Sequence, residues 1–284
     1  MSAEPASNET ICLSTLRETD RDRYLVALLS PEARRRALVA LYAYNAEIAK
    51  VRDLVHEPLP GEVRLQWWRD IIEGQNPGQA EANPLSAELM AAIAAHRLPT
   101  APLIAMSEAR IFDLYDDPMP DVATLEAYAG ETASALIQLA SLVLSPEKAG
   151  DSAAAAGHAG VAQTIAGLLL LMPRHRQRGQ LYLPLDILSA TGLDRDGFLE
   201  GQDRERIGAA ISAFAGLGID HLKKARAEQR PSPDVFAAFL PVALAESVLQ
   251  KAVKLKASVF DQPLQPSQWR RQLTLVRAMV TKRF

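Results

Sequence analysis

Apolar side chains recur at helical spacing along most of the chain. Ser30-Pro31 reads as a helix start, a capping residue followed by a proline at the first helical position. From there Leu38, Leu41, Tyr42, Ile48 and Val51 keep helical intervals and predict a helix to about residue 55. Pro58 and Pro60-Gly61 break the pattern. A second helix is predicted over 62–73, carrying Leu65, Trp68, Ile71 and Ile72, and 74–84 reads as a loop. Further helices are predicted over 85–97, 101–116, 121–144, 151–172, 203–229, 233–256 and 266–282, with Asp121 and Ser232-Pro233 as starts. Gly157, Gly160 and Gly167 weaken the 151–172 segment, or mark close helix packing. No alternating apolar run with hairpin turns predicts a sheet. With short connections and no repeat, the pattern predicts an all-α chain: a disordered segment over 1–15, then one helical domain over 16–284.

Composition narrows the class. Of 284 residues 48 % are hydrophobic and 23 % charged, ordinary for a protein with a sizeable core. The net charge of −3 gives no reason to expect nucleic acid as a partner. Residues 250–284 hold eight Lys/Arg against Asp261 alone, a local +7, so the rest of the chain carries −10. A basic tail on an acidic body points that end toward an anionic surface or partner. The single cysteine, Cys12, excludes a disulfide within the chain and fits a reducing compartment. It is expected on a mobile terminus with no neighbouring His, which argues against a nucleophile. The first residues lack a basic segment followed by an apolar run. The longest apolar run, 165–172, falls short of the ~20 residues of a membrane-spanning helix. A cytoplasmic location is expected, with peripheral membrane contact left open.

Two stretches bear on chemistry. LYAYNAEIAKVRD (41–53) and GQLYLPLDIL (179–188) resemble two landmarks of the squalene/phytoene synthase superfamily. In active members each landmark adjoins a D-x-x-x-D motif. Residues four apart share a helix face, so such a pair aims two carboxylates at one spot. Two facing pairs make an oxygen cage for Mg²⁺, which neutralises charge on a departing pyrophosphate. Here the matching positions read Ala49-x-x-x-Asp53 and Leu171-x-x-x-His175. Tyr42, Ala43 and Tyr44 match the first landmark, while Asn45 and Ala46 replace its Cys-Arg pair and Ala49 and Lys50 its paired aspartates. Gly179, Tyr182, Leu183 and Pro184 match the second, while Leu170, Leu171, Arg174 and His175 replace Arg-Asp and Glu-Asp. Pro173 is expected to break or kink the helix there. One carboxylate of four remains, beside two cations.

The string Ala43-Tyr44-Asn45-Ala46-Glu47-Ile48-Ala49, with Leu65-Gln66-Trp67-Trp68-Arg69, is similar to one branch of that superfamily: the mitochondrial complex I assembly factor and its bacterial relatives. The resemblance implies an isoprenoid-synthase-type bundle of helices around a central cavity. It also implies a protein that has lost prenyl-transferase chemistry and acts in assembly of respiratory complex I, with a complex I subunit or intermediate as partner and no cofactor. One alternative is an active head-to-head prenyl-diphosphate synthase using Mg²⁺, with Asp53 joined by Asp113, Asp116 or Asp117, of which Asp113 and Asp117 are spaced one turn apart. The other is a lipid or isoprenoid carrier.

Candidate ligand-facing residues are Tyr44, Asn45, Asp53, Trp67, Gln163 and Tyr182. Of the tryptophan pair, one member is expected in the core and its neighbour, about 100° round the helix, at an interface. Asp53 reads as part of a surface ion pair ahead of a relic ligand, and His175 as a packing residue rather than a ligand. Arg174, Arg176 and Arg178 form a basic cluster that suits an anion or a solvated loop. In the last helix Trp269, Leu273, Val276 and Val280 make an apolar stripe near Arg270, Arg271, Arg277 and Lys282, which suits a membrane surface, a partner, or packing on the body.

Overall fold

A computed structural model describes residues 7–284, of which no residue is in a strand. In chain order the helices are α1 (Asn8–Thr19), α2 (Arg21–Leu29), α3 (Glu32–Ala49), α4 (Val51–Leu54), α5 (Pro58–Ile72), α6 (Pro77–Ala82), α7 (Pro84–His96), α8 (Thr100–Ala109), α9 (Val122–Ala129), α10 (Ala135–Leu144) and α11 (Pro146–Ala149). They continue with α12 (Ala153–Gln177), α13 (Leu185–Ala190), α14 (Arg195–Glu200), α15 (Arg204–Ala227), α16 (Ala245–Leu255) and α17 (Gln268–Thr281). Two compact units form. One runs to Tyr115 and includes Ala135–Gly150 and Pro233–Ala238; the other takes Asp116–Ser134, Asp151–Ser232 and Phe239–Phe284.

The first unit is built on α3. Residues 37–45 are buried without a break, so this stretch is covered on all sides, because α1, α2, α7 and α10 pack against it. Arg36 grips the buried Glu88 of α7 through two hydrogen bonds of 2.6 and 2.8 Å. Gly61 sits where a Cβ would meet the Leu114 side chain at 2.5 Å, so α5 lies close against the 3₁₀ turn Phe112–Leu114.

The N-terminal expectation needs correcting. Residues 1–6 lie outside the described residues, but 8–15 are helical, not disordered. Ser7 caps α1 by accepting the Thr10 N–H, and Cys12 and Leu16, one turn apart, are 2 % and 0 % exposed. Cys12 is therefore fixed in the core rather than on a mobile end, and burial pushes its thiol up to about 11.

Other boundaries shift for local reasons. Ser30 does not cap α3; its hydroxyl donates to the Val26 carbonyl and closes α2. The 31–55 helix stops at Ala49, and Lys50 separates it from α4. Pro58 and Pro60 open α5 rather than ending a helix, since the first turn needs no N–H donor. The 74–84 loop contains α6. The start read at Ser232-Pro233 is displaced to Phe236, where a 3₁₀ segment runs to Leu244 before α16. Asp121 does start α9, accepting the Thr124 N–H at 2.7 Å.

The second unit is built on α12 and α15, packed along their length with α16 beside both. A π-helical turn, Gly130–Ser134, lies on α12. Gly160 permits the approach: a Cβ there would stand 2.1 Å from Ser134 Oγ and 2.4 Å from the Ser134 backbone nitrogen. Pro173 does not break α12, which runs on to Gln177. Its missing N–H deletes one bond near the end of the helix, and the remaining turn persists. Contrary to the short apolar run in the sequence, three helical stretches, Val122–Leu144, Pro146–Gln177 and Phe236–Phe260, are long and apolar enough to cross a membrane. Over half of each apolar window is already buried inside the protein.

Candidate functional site

The first landmark lies at the end of α3. Tyr44 is fully buried, and its hydroxyl donates to the Leu103 carbonyl at 2.7 Å and meets Ser107 Oγ at 2.6 Å. It is a packing residue of the first unit, not a ligand-facing one. Asn45 is buried as well, at 7 % exposure. Ala49 and Asp53 are exposed, but the helix is interrupted between them at Lys50. The unbroken turn that would stack two side chains over one spot is missing. Lys50 Nζ lies 2.6 Å from Glu47. Trp68 is in the core, edge-on to Tyr44 with ring centres 5.1 Å apart. Trp67 is half-buried, and its Nε1–H donates to Gln79 Oε1 at 2.8 Å. Trp68 thus takes the core position and Trp67 a half-exposed one.

The acids at 113–117 do not make a second motif. Asp113 is buried and pairs with Arg110 at 3.1 Å. Asp116 and Asp117 are exposed and follow the end of the 3₁₀ turn, so the spacing of Asp113 and Asp117 is not carried on a helix.

The second landmark lies at the end of α12 and the segment after it. Leu171 and Arg174 are exposed, and His175 is half-buried with its ring 4.6 Å from that of Tyr182. Tyr182 is buried, and the flanking Leu181 carbonyl accepts the Met119 N–H at 3.1 Å. The Leu-Pro turn after it is buried too, which explains by packing why these residues stand there. The basic cluster divides. Arg176 lies over the Phe260 ring at 4.7 Å and donates to the Leu199 carbonyl at 2.9 Å, which makes it structural. Arg174 and Arg178 stay exposed. Gln163 is half-buried on α12, and its Oε1 is buried without a hydrogen-bond partner.

Among the described residues no three His, Cys, Asp or Glu side chains gather as a metal-ligand set. At the motif positions the donors are one carboxylate and one imidazole, accompanied by Lys50 and Arg174. A hard cation such as Mg²⁺ takes oxygen ligands, and alanine and leucine offer none. The residues do not fit the metal that diphosphate ionisation requires.

One polar cluster escapes the sequence pattern. His158 of α12 and His221 of α15 bring their Nδ1 atoms within 3.2 Å, and His221 Nε2 lies 3.0 Å from Glu126 Oε1 of α9. The carboxylate accepts from Nε2–H, which leaves the His221 Nδ1 lone pair to accept from His158 Nδ1–H. Burial pushes the His221 pKa down, with His158 and Lys224 in the same direction and Glu126 opposing. Residues 63 apart on separate helices leave no spacing signal.

The sequence model of the squalene/phytoene synthase family matches residues 16–275. The chain belongs to this family. Within it, the chain is 32 % identical over 255 residues to the Rattus norvegicus NADH dehydrogenase (ubiquinone) complex I assembly factor 6, covering 89 % of this chain and 76 % of that protein. Against the Homo sapiens protein of the same name the identity is 32 % over 255 residues, with the same coverage. The Dictyostelium discoideum homolog is 26 % identical over 251 residues, covering 87 % of this chain and 70 % of that protein. Among solved structures, a dehydrosqualene synthase aligns over 97 % of this chain and 96 % of its own with a TM-score of 0.79 at 18 % identity. Squalene synthase HpnC from Alicyclobacillus acidocaldarius aligns over 92 % and 95 % with a TM-score of 0.69 at 16 % identity. The squalene/phytoene synthase family thus supplies the isoprenoid-synthase fold, and this member keeps it with substituted motif positions.

Proposed function

We propose that this family member has lost prenyl-transferase chemistry and acts in assembly of respiratory complex I. The supporting observation is local: Ala49, Lys50, Leu171, Arg174 and His175 stand where a diphosphate-ionising member needs carboxylates. The similarity to proteins named complex I assembly factor 6 supplies the process. In this reading the protein needs no cofactor, and its partner is a complex I subunit or assembly intermediate. The exposed Arg174 and Arg178 offer contacts to an acidic partner. The location is cytoplasmic and peripheral to the inner membrane, with the basic C-terminal helix as the lipid-facing element. Arg270 is exposed there, and Arg271 is half-buried.

The test is genetic. Deleting the gene lowers assembled complex I on a native gel with an in-gel NADH dehydrogenase stain, and the wild-type gene restores it. Unchanged complex I in the deletion strain refutes the assembly role.

A further inference from the structure

The stripe on α17 is displayed rather than packed. At 100° per residue, Trp269, Leu273, Val276 and Val280 fall within an arc of about 60°. Their exposures are 60, 59, 41 and 78 %. The buried side chains of the helix, Leu275 and Ala278, are 0 and 4 % exposed and lie on the opposite side. The stripe is therefore turned outward by the same contacts that hold the helix. Its far end is fixed as well. Arg226 donates to the Phe284 carbonyl at 2.6 Å, and the Phe284 ring stacks on Phe239 at 5.5 Å.

Charge selects the occupant. Residues 262–284 carry Arg270, Arg271, Arg277, Lys282 and Arg283 and no acid. Arg270 and Arg277 lie together along one border of the stripe, both exposed, and the Arg270 guanidinium lies 5.2 Å from the Trp269 ring centre. An exposed apolar arc with a tryptophan at one end and arginines at its border matches the boundary between headgroups and acyl chains. A second copy of the chain would bring like-charged helices face to face with no carboxylate to offset them. The chain before residue 262 carries −8 against the +5 of this end, so an anionic surface repels the one and attracts the other.

We infer that α17 is a preformed docking face for an anionic phospholipid surface, with Trp269, Leu273, Val276 and Val280 inserted and Arg270 and Arg277 at the phosphates. This deepens the proposed peripheral location by naming the lipid chemistry and the residues that meet it. The seat formed by Leu275 and Ala278 does not change on docking.

The experiment is co-sedimentation of the full chain with phosphatidylcholine vesicles, with or without about one-third phosphatidylglycerol. The variants are Leu273→Glu with Val280→Glu, and Arg270→Glu with Arg277→Glu. All four positions are exposed, and unchanged thermal melts verify folding. Wild type sediments with the anionic vesicles, and salt releases it. Either double variant loses about tenfold or more in partitioning, and the arginine pair also removes the preference for anionic lipid. Failure of wild type to sediment with anionic vesicles overturns the inference, as does wild-type behaviour of the stripe variant. So does a wild-type dimer in analytical ultracentrifugation that Leu273→Glu dissociates, or binding to native membranes that protease stripping abolishes. The vesicle assay contains no complex I, so its failure leaves the assembly role standing, and a normal native gel leaves the docking face standing.

Discussion

Replacing Gly160 by alanine tests the packing that positions the second landmark helix. The added Cβ would stand 2.1 Å from Ser134 Oγ, 2.4 Å from its backbone nitrogen and 2.6 Å from its Cα. Two of these atoms are backbone, so rotating one side chain cannot relieve the overlap. Overpacking of this kind costs about 1–3 kcal/mol. Displacing Ser134 also strains its hydrogen bond to the Gly157 carbonyl, 2.9 Å in the native state and worth about 1 kcal/mol. Against this, alanine is the better helix former by about 1 kcal/mol. The net expectation is about 2 kcal/mol of destabilisation, or roughly 4 °C in Tm for a chain of this size. Gly157 and Gly167 lie on the same helix with open space around their Cβ positions. There alanine collects the propensity term alone, and each variant gains about 0.5–1 kcal/mol. Urea denaturation monitored by circular dichroism reads all three. Equal effects at the three glycines, or a Gly160→Ala variant as stable as wild type, refute the close approach of α12 to the π-helical turn.

Burial lowers the folded-state pKa of His221 below its ordinary 6.5, so the unfolded chain takes up this proton first as the pH falls. Stability is therefore lost below about pH 6.5, in the window between the ordinary and the lowered value. His221→Gln flattens that part of the wild-type urea-midpoint profile; an unaltered profile contradicts the reading. The Cys12 thiol, raised to about 11, leaves about one molecule in 10⁴ as thiolate at pH 7, beneath a surface that exposes only 2 % of the residue. A disulfide-exchange reagent labels it slowly in the native protein and at once in denaturant, and fast native labelling is the contrary outcome.

The helical pattern was legible wherever an element buries a full apolar face. α3, α5, α8 and α15 follow directly from the spacing of residues such as Leu38, Leu41, Leu65 and Trp68. The pattern was silent where burial is slight: α1 hides only Cys12 and Leu16, and α14 only Phe198. Prolines misled in both directions. Pro58 and Pro60 open a helix, because the first turn needs no N–H donors, and Pro173 is tolerated inside one at the cost of a single bond to the carbonyl four residues back. At the candidate site, the substitution of carboxylates is a matter of residue identity and needed no structure. That Tyr44 and Arg176 are structural is visible only once Leu103, Ser107, Phe260 and Leu199 are brought beside them. The Glu126–His221–His158 chain depends entirely on how α9, α12 and α15 meet.

The proposed loss of diphosphate chemistry is tested most directly by pyrophosphate release. Purified protein is incubated with farnesyl or geranylgeranyl diphosphate and Mg²⁺, with a squalene synthase as positive control. The substituted motif positions predict no release above the no-enzyme background, and no gain when Mn²⁺ replaces Mg²⁺. Multiple-turnover release that is lost on Asp53→Asn would contradict the account, because it would mean that a working metal site survives on this scaffold.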